Sequence, residues 1–353
     1  MRLRRRFPII LGVLLVTAAV ALVVVLRKHA PPEPARLLPG ADGFVYVNLQ
    51  WMRRANLVGE LPAVSHDPEY EHFIQATGFD FERDLEQAAM AIHYPAGPSP
   101  ADPETRFSYV FVAKLDGERL RDYLRKNSGS TDDYHSVEIY NIPLEGRTLR
   151  VAIIGVDTVA VSNHADPAVI RGIIDRSRRL ASPFGGPALL RQYYKEVPLA
   201  SLAWAVFRIQ PSASGPTGLS FLFSQPAVGV VSLRMLRAVH LRAEAVADSS
   251  DEARQISEKV GAFLAAFHTA QDNAPPSGSD ADVKALFDSV KVEQERNRAI
   301  LTSAVPPGFL RKLLAEGPSA MNPAPPPPPP PNPEPTPPAK KRRKPAKQER
   351  SPA

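Results

Sequence analysis

The sequence predicts an α+β fold: mixed, mostly antiparallel strand meanders with interspersed amphipathic helices, preceded by one N-terminal transmembrane helix. Three observations predict it. An apolar run, Phe7–Leu26, stands ahead of the rest of the chain. Short strand-like segments follow one another across tight turns, as in Val137–Ile142, Thr148–Ile154 and Thr158–Ser162. Between such segments lie stretches with apolar residues three or four apart, and Asp67-Pro68 and Asp166-Pro167 open two of them.

The apolar run is about 20 residues long, which at 1.5 Å per residue matches the ~30 Å hydrocarbon core of a bilayer. Fourteen of its positions are Leu, Ile, Val or Phe, favouring insertion by roughly 4–8 kcal/mol. A cleavable signal peptide has a shorter apolar region with small residues at the cut. Ala19-Val20-Ala21 has that shape, yet Leu22–Leu26 carry the run straight past it. The run reads as an uncleaved signal anchor whose partner is the lipid bilayer. Four arginines precede it (Arg2, Arg4, Arg5, Arg6) against Arg27 and Lys28 after it, so the positive-inside rule leaves residues 1–6 in the cytoplasm. The body is then expected outside the cytoplasmic membrane, in the periplasm. Residues 27–37, with Pro31, Pro32 and Pro34, read as a stiff linker.

The 353 residues contain no cysteine, which excludes disulfides and thiolate chemistry. The net charge of +6 comes from the ends of the chain. Thirteen of the 43 Lys and Arg lie beside the apolar run or in the C-terminal tail, with only two of the 37 acids. The body, residues 38–318, is therefore mildly acidic, and no nucleic-acid partner is expected. Its length suits one large or two ordinary domains.

The turn cluster Leu38–Gly43 introduces a strand at Phe44–Leu49. Asp67-Pro68 caps a helix with Tyr70, Phe73, Ile74 and Thr77 on one face, closed by Gly78. A second amphipathic stretch is expected to turn Phe81, Leu85, Ala88, Ala89 and Ile92 inward. Arg106–Leu115 reads as a strand buried on both faces, and Asp116-Gly117 as the start of a helix carrying Leu120 and Leu124. After the three-strand meander, Asp166-Pro167 opens a helix buried through Val169, Ile170, Ile173 and Ile174. Leu199–Ile209, Val230–Leu236 and Ala238–Val246 read as strands. Ser249–Phe267 is the strongest helix, with a stripe of Ile256, Val260, Phe263, Leu264 and Phe267. Asp282–Asp288 reads as a short helix, Val290–Val305 as a hairpin, and Pro306-Pro307 as the start of a last helix. A strand–turn–helix recurrence is visible around Phe111, Val161 and Ala245, too irregular for a solenoid.

Three phrases stand out: Leu38–Leu49, then Gly78-Phe79-Asp80 with Asp84-Leu85, then Val305-Pro306-Pro307 before a Leu-rich helix. Through them, residues 37–316 resemble a family of bacterial membrane-anchored proteins of unknown function. The resemblance implies an architecture and supplies no catalytic residue.

Motifs for chemistry are missing. No Gly-x-Ser-x-Gly elbow, phosphate-binding loop or His-Glu-x-x-His occurs. His66 and His72 lie six apart, and His93, His135, His164, His240 and His268 have no neighbouring ligand in sequence. Asp80, Glu82, Asp84 and Glu86 alternate, but a calcium loop counted from Asp80 would need Gly and Glu where Leu85 and Ala91 stand. The acids read instead as complements to a helix dipole. Ser128–Asp133 reads as a polar turn. No catalytic residue, metal ligand or cofactor is therefore assigned. The one anomalous segment in the body is Gly218–Phe223, a short apolar run between Pro216 and Pro226. Phe221, Leu222 and Phe223 are the candidates there for contact with a ligand or a membrane, against the alternative of a buried plug.

The tail, residues 319–353, is proline-rich and expected to be disordered, with polyproline II character over Pro323–Pro338. It ends in the basic cluster Lys340, Lys341, Arg342, Arg343 and Lys344, suited to an anionic cell-envelope polymer or lipid. These features point to a membrane-anchored envelope protein acting as a non-enzymatic binding or scaffolding module. The alternative is an extracytoplasmic hydrolase whose site is assembled from distant residues.

Overall fold

β-branched, aromatic and small apolar residues recur at period two through the body, and the strands they form pair into one sheet. The computed structural model describes residues 30–55, 67–95, 105–144, 146–178, 185–211, 222–236, 238–272 and 281–309. The apolar run at 7–26, Phe221 and the basic tail lie outside these. Among the described residues no helix is long and apolar enough to cross a membrane.

The strands are β1 (Gly43–Asn48), β2 (Leu85–His93), β3 (Arg106–Ala113), β4 (Ser130–Tyr134), β5 (Val137–Leu144) and β6 (Arg147–Ile153). They continue with β7 (Thr158–Ser162), β8 (Ser201–Ile209), β9 (Ala227–Met235), β10 (Val239–Val246), β11 (Lys291–Glu295) and β12 (Arg298–Val305). All twelve join one sheet in the order β11-β12-β10-β9-β8-β1-β2-β3-β7-β6-β5-β4. Every pairing is antiparallel, as the meander pattern implies.

The helices are α1 (Glu33–Leu37), α2 (Leu49–Arg54), α3 (Pro68–Thr77), α4 (Phe81–Asp84), α5 (Gly117–Asn127), α6 (Ala168–Arg178), α7 (Ala188–Tyr193), α8 (Ser250–Asp272) and α9 (Ala281–Asp288). Their starts follow the chemistry of the chain. The Asp67 carboxylate accepts from Glu69 N, Asp116 from Glu118 N and Arg119 N, and Asp166 from Ala168 N. Gly78 ends α3 at φ +74°, a left-handed backbone that glycine takes without strain.

One face of the sheet packs on α1, α6 and α7. Phe44, Tyr46, Ala89, Ala91, Val110, Ile139, Trp204 and Val206 point there, against Ala35, Leu37, Ile170, Ile173, Ile174 and Leu190. The other face is roofed at one end by α3, α4 and α5, and at the other by α8 and α9.

The register also shows a duplication. β1 and β8 are antiparallel neighbours at the centre, and each begins a β-β-β-α series. β1-β2-β3-α5 runs outward one way and β8-β9-β10-α8 the other. Three residues link the third strand to its helix in each series, and both helices lie on the same face. A hairpin then forms each outer edge, β4-β5 and β11-β12. This arrangement amounts to an approximate two-fold axis normal to the sheet between β1 and β8. It gives structural meaning to the recurrence at Phe111 and Ala245. The halves diverge where β6 and β7 fold back between β5 and β3, whereas β12 lies directly beside β10.

Five expectations are corrected. Leu85–His93 is a strand, not a helix, and only one turn, α4, precedes it. Its alanines matched a helical spacing, yet Ala89 and Ala91 fill a crowded interior on one face while Ala88, Met90 and Ile92 take the other. Phe81, expected inward, is 39% exposed. Glu33–Leu37 is not spacer but helix, with Ala35, Leu37 and Leu38 in the core. Ser130–Tyr134, expected as a turn, is an edge strand whose polarity suits its exposure. Finally, the stripe of α8 is buried only in its first half. Ile256 is 7% exposed, whereas Phe263 is 48% exposed and Phe267 stacks on Phe287 of α9 instead of on the sheet.

Candidate functional site

The aromatic residues after Asp67 converge on one hollow. α3 brings Phe73, the turn after Gly78 brings Phe79, and α4 brings Phe81. α5 supplies Leu120, Tyr123 and Leu124, and the sheet below supplies Phe111, Ile142, Leu149, Val151, Val159 and Val161. Together they line a hollow of about 290 Å³, open on one side, with apolar walls throughout. Phe73 is the hub of the ring network: it stacks on Phe81 at 5.9 Å and meets Phe79 and Tyr123 edge-on at 6.1 and 5.2 Å.

Polar contacts hold this roof from outside. Arg119 on α5 donates to the carbonyls of Gln75 and Ala76 at 2.6 and 3.2 Å, capping the end of α3. The Tyr70 hydroxyl accepts from Phe81 N at 3.0 Å, and burial raises its pKa. Asp80 caps α4 by accepting from Glu82 N, so this acidic run serves a helix start. Among the described residues no group of His, Asp or Glu side chains could hold a metal ion.

A second hollow, of about 150 Å³, lies under α8 on the same face. Leu222 and Phe223 line it with Phe207, Ile256 and Val260. Phe223 is buried at 7% exposure and Leu222 is half-buried, so Phe223 plugs the protein rather than facing solvent, while also forming a cavity wall. Phe221 and Lys340–Lys344 lie outside the described residues.

The nearest approach to a catalytic group is one that reading the sequence missed. His93 Nε2 lies 3.2 Å from Ser108 Oγ, which lies 3.0 Å from Ser162 Oγ. The His164 ring stands 5.0 Å from that of His93, and its backbone N–H donates to Ser162 Oγ. Burial, followed by the neighbouring His164, pushes the His93 pKa down to about 4. Ser108 is 0% exposed and Ser162 1%. A ring that weakly basic, bonded to a hydroxyl no substrate reaches, satisfies buried polar atoms and lacks the access a nucleophile needs. The signal was present in the strands: Ser108 and Ser162 hold inward positions that apolar residues would otherwise take.

No protein-family model and no curated protein matches this sequence. Among solved structures, crystal form III of TP0453 is similar at a TM-score of 0.45 and 10% identity, covering 81% of this chain and 99% of that one. Crystal form IV of TP0453 gives 0.42 and 12%, with 81% and 97% covered. Likeness at this level assigns neither family nor activity.

Proposed function

We propose that this chain is a non-enzymatic binding module, held outside a cytoplasmic membrane by residues 7–26, and that it takes the hydrocarbon part of an apolar ligand under α5. The observation that carries the reading is the ~290 Å³ cavity, whose walls offer no polar group to a reacting centre. Left empty, the hollow keeps its apolar walls against water, and covering them with a hydrocarbon chain is favourable by about 25 cal/mol per Å². Its volume lies near the lower end of small-molecule pockets, about 300–1,000 Å³. In this reading the basic tail meets an anionic envelope polymer or lipid. A hydrolase is the weaker reading, because it rests on His93, Ser108 and Ser162, and both hydroxyls are enclosed.

The test is photolabelling of the full chain in native membranes with a diazirine-bearing fatty acid, mapped by peptide mass spectrometry. Saturable labelling at Leu120, Leu124, Val151 or Val159 is expected. Ala113→Leu, at the cavity wall, should reduce it several-fold while the circular dichroism spectrum is unchanged. Labelling confined to residues 7–26 would overturn the reading.

A further inference from the structure

We infer that the hollow under α8 is a second, independent binding site, and that its occupant is an uncharged hydrocarbon group of about benzene's size. It goes beyond the site under α5 and does not depend on it.

The approximate two-fold axis relates the two hollows. Each lies between the helix that follows the third strand of its half and the sheet that helix covers, on the same face. Side-chain size explains why the second one is open. Gly229, Ala245 and Ala299 are register partners on β9, β10 and β12, in the row beneath α8. The Phe207 ring lies over Gly229, where an added Cβ would stand 2.7 Å from its edge. The absent side chain therefore lets the ring lie flat along the sheet and leaves the space above it clear.

The volume selects the occupant. At about 150 Å³ the hollow, open on one side, has room for a group of benzene's size, a molecule that apolar cavities of about 150 Å³ admit. A water molecule needs two to four polar partners. Of the residues lining the hollow, only Glu244 is ionisable, and both its carboxylate oxygens are engaged, by Arg242 at 2.7 Å and Arg298 at 3.5 Å. The hollow also has a tied rim. Lys259 on α8 donates to Ser224 Oγ at 2.9 Å and to the Leu222 carbonyl at 3.4 Å, holding the Leu222–Ser224 segment against the helix.

The experiment is photolabelling of the full chain in membranes with phenyldiazirine, with benzene as competitor. Saturable labelling of Leu222, Phe223, Ile256 or Val260, displaced by benzene, is expected. Ala245→Leu, which fills the floor, should reduce that labelling at least five-fold and leave labelling of Leu120 and Leu124 unchanged. Ala113→Leu should do the reverse, so failure at one site is read separately from failure at the other. Should Ala245→Leu not fold, Ala243→Val fills less of the same floor, and a benzene-dependent rise in the midpoint of thermal unfolding of the unmodified chain gives an independent readout. Labelling that does not saturate, or that persists in a folded filled variant, overturns the inference.

Discussion

The two halves of the sheet share a strand order and differ in what covers them. From β1 to β7 both faces are roofed, and strands such as β3 are apolar or aromatic at nearly every position. From β9 outward α8 and α9 cover one face, while the other buries Val230 and Ile300 beside the polar Ser232 and Glu244. β10 accordingly alternates, with Leu241, Ala243 and Ala245 inward and His240, Arg242 and Glu244 on the other face. Burial on two faces demands a continuous apolar run, and burial on one face demands alternation. The same topology thus carries two sequence patterns.

The more polar face has a consequence in charge. Glu244 is 4% exposed, although its strand faces the polar side. Arg242 and Arg298 hold it, and Arg298 also pairs with Glu196 from the turn after α7, at 2.8 Å through Nη2. The network does for the second half what α6 does for the first: it ties a connecting segment to the sheet. An ionic tie depends on each partner in a way that an apolar one does not.

The largest effect expected comes from the joint between the halves. Phe44 on β1 is fully buried where β1 meets β8. Phe44→Ala should cost about 3–5 kcal/mol, and denaturant unfolding should remain one transition shifted to lower concentration. Two separate transitions would show that the halves are independent folding units and break the comparison. Next comes the ionic tie. Arg298→Met leaves Glu196 without its main partner and should cost roughly 2–3 kcal/mol after allowing for the partial exposure of Arg298. Adding Glu196→Leu should recover part of that loss in a double-mutant cycle. If the second change costs as much again, the tie is not pairwise.

The smallest effect concerns the first half and pH. The folded His93 pKa of about 4 lies below the ordinary value of about 6.5, so between these values the unfolded chain binds more protons. Stability is complete above pH ~6.5 and declines as pH falls towards 4, by ~1–2 kcal/mol once partial exposure is allowed for. His93→Gln should flatten that part of the stability–pH curve. An unchanged slope would assign it to other groups.

The fold was legible where local chemistry and tertiary demand agree. Asp67, Asp116 and Asp166 cap the helices their positions announce, and the meander β5–β7 follows its alternation. It was illegible where neighbours decide. Ala88, Ala89 and Ala91 fit a helix by propensity and a crowded strand by packing, and packing won. α1 is five residues long and owes its existence to α6 and the sheet beneath it. Of the candidate site, Leu222 and Phe223 were visible as an anomaly. The hollow beside them depends on Gly229, Ala245 and Ala299 meeting across three strands, which no single stretch of sequence displays.

The two outermost strands set a limit on self-association. β4 reads Ser-Thr-Asp-Asp-Tyr and β11 Lys-Val-Glu-Gln-Glu, so each open edge carries charge along a short strand. A copy adding its own strand there would strip water from those charges, and at β4 it would bring Asp132 and Asp133 against their own copies. Charge at both edges opposes edge-to-edge growth into ribbons. On the proposed anchoring, copies confined to the plane of a membrane would meet far more often than in solution, and the charge on both edges would act at each encounter.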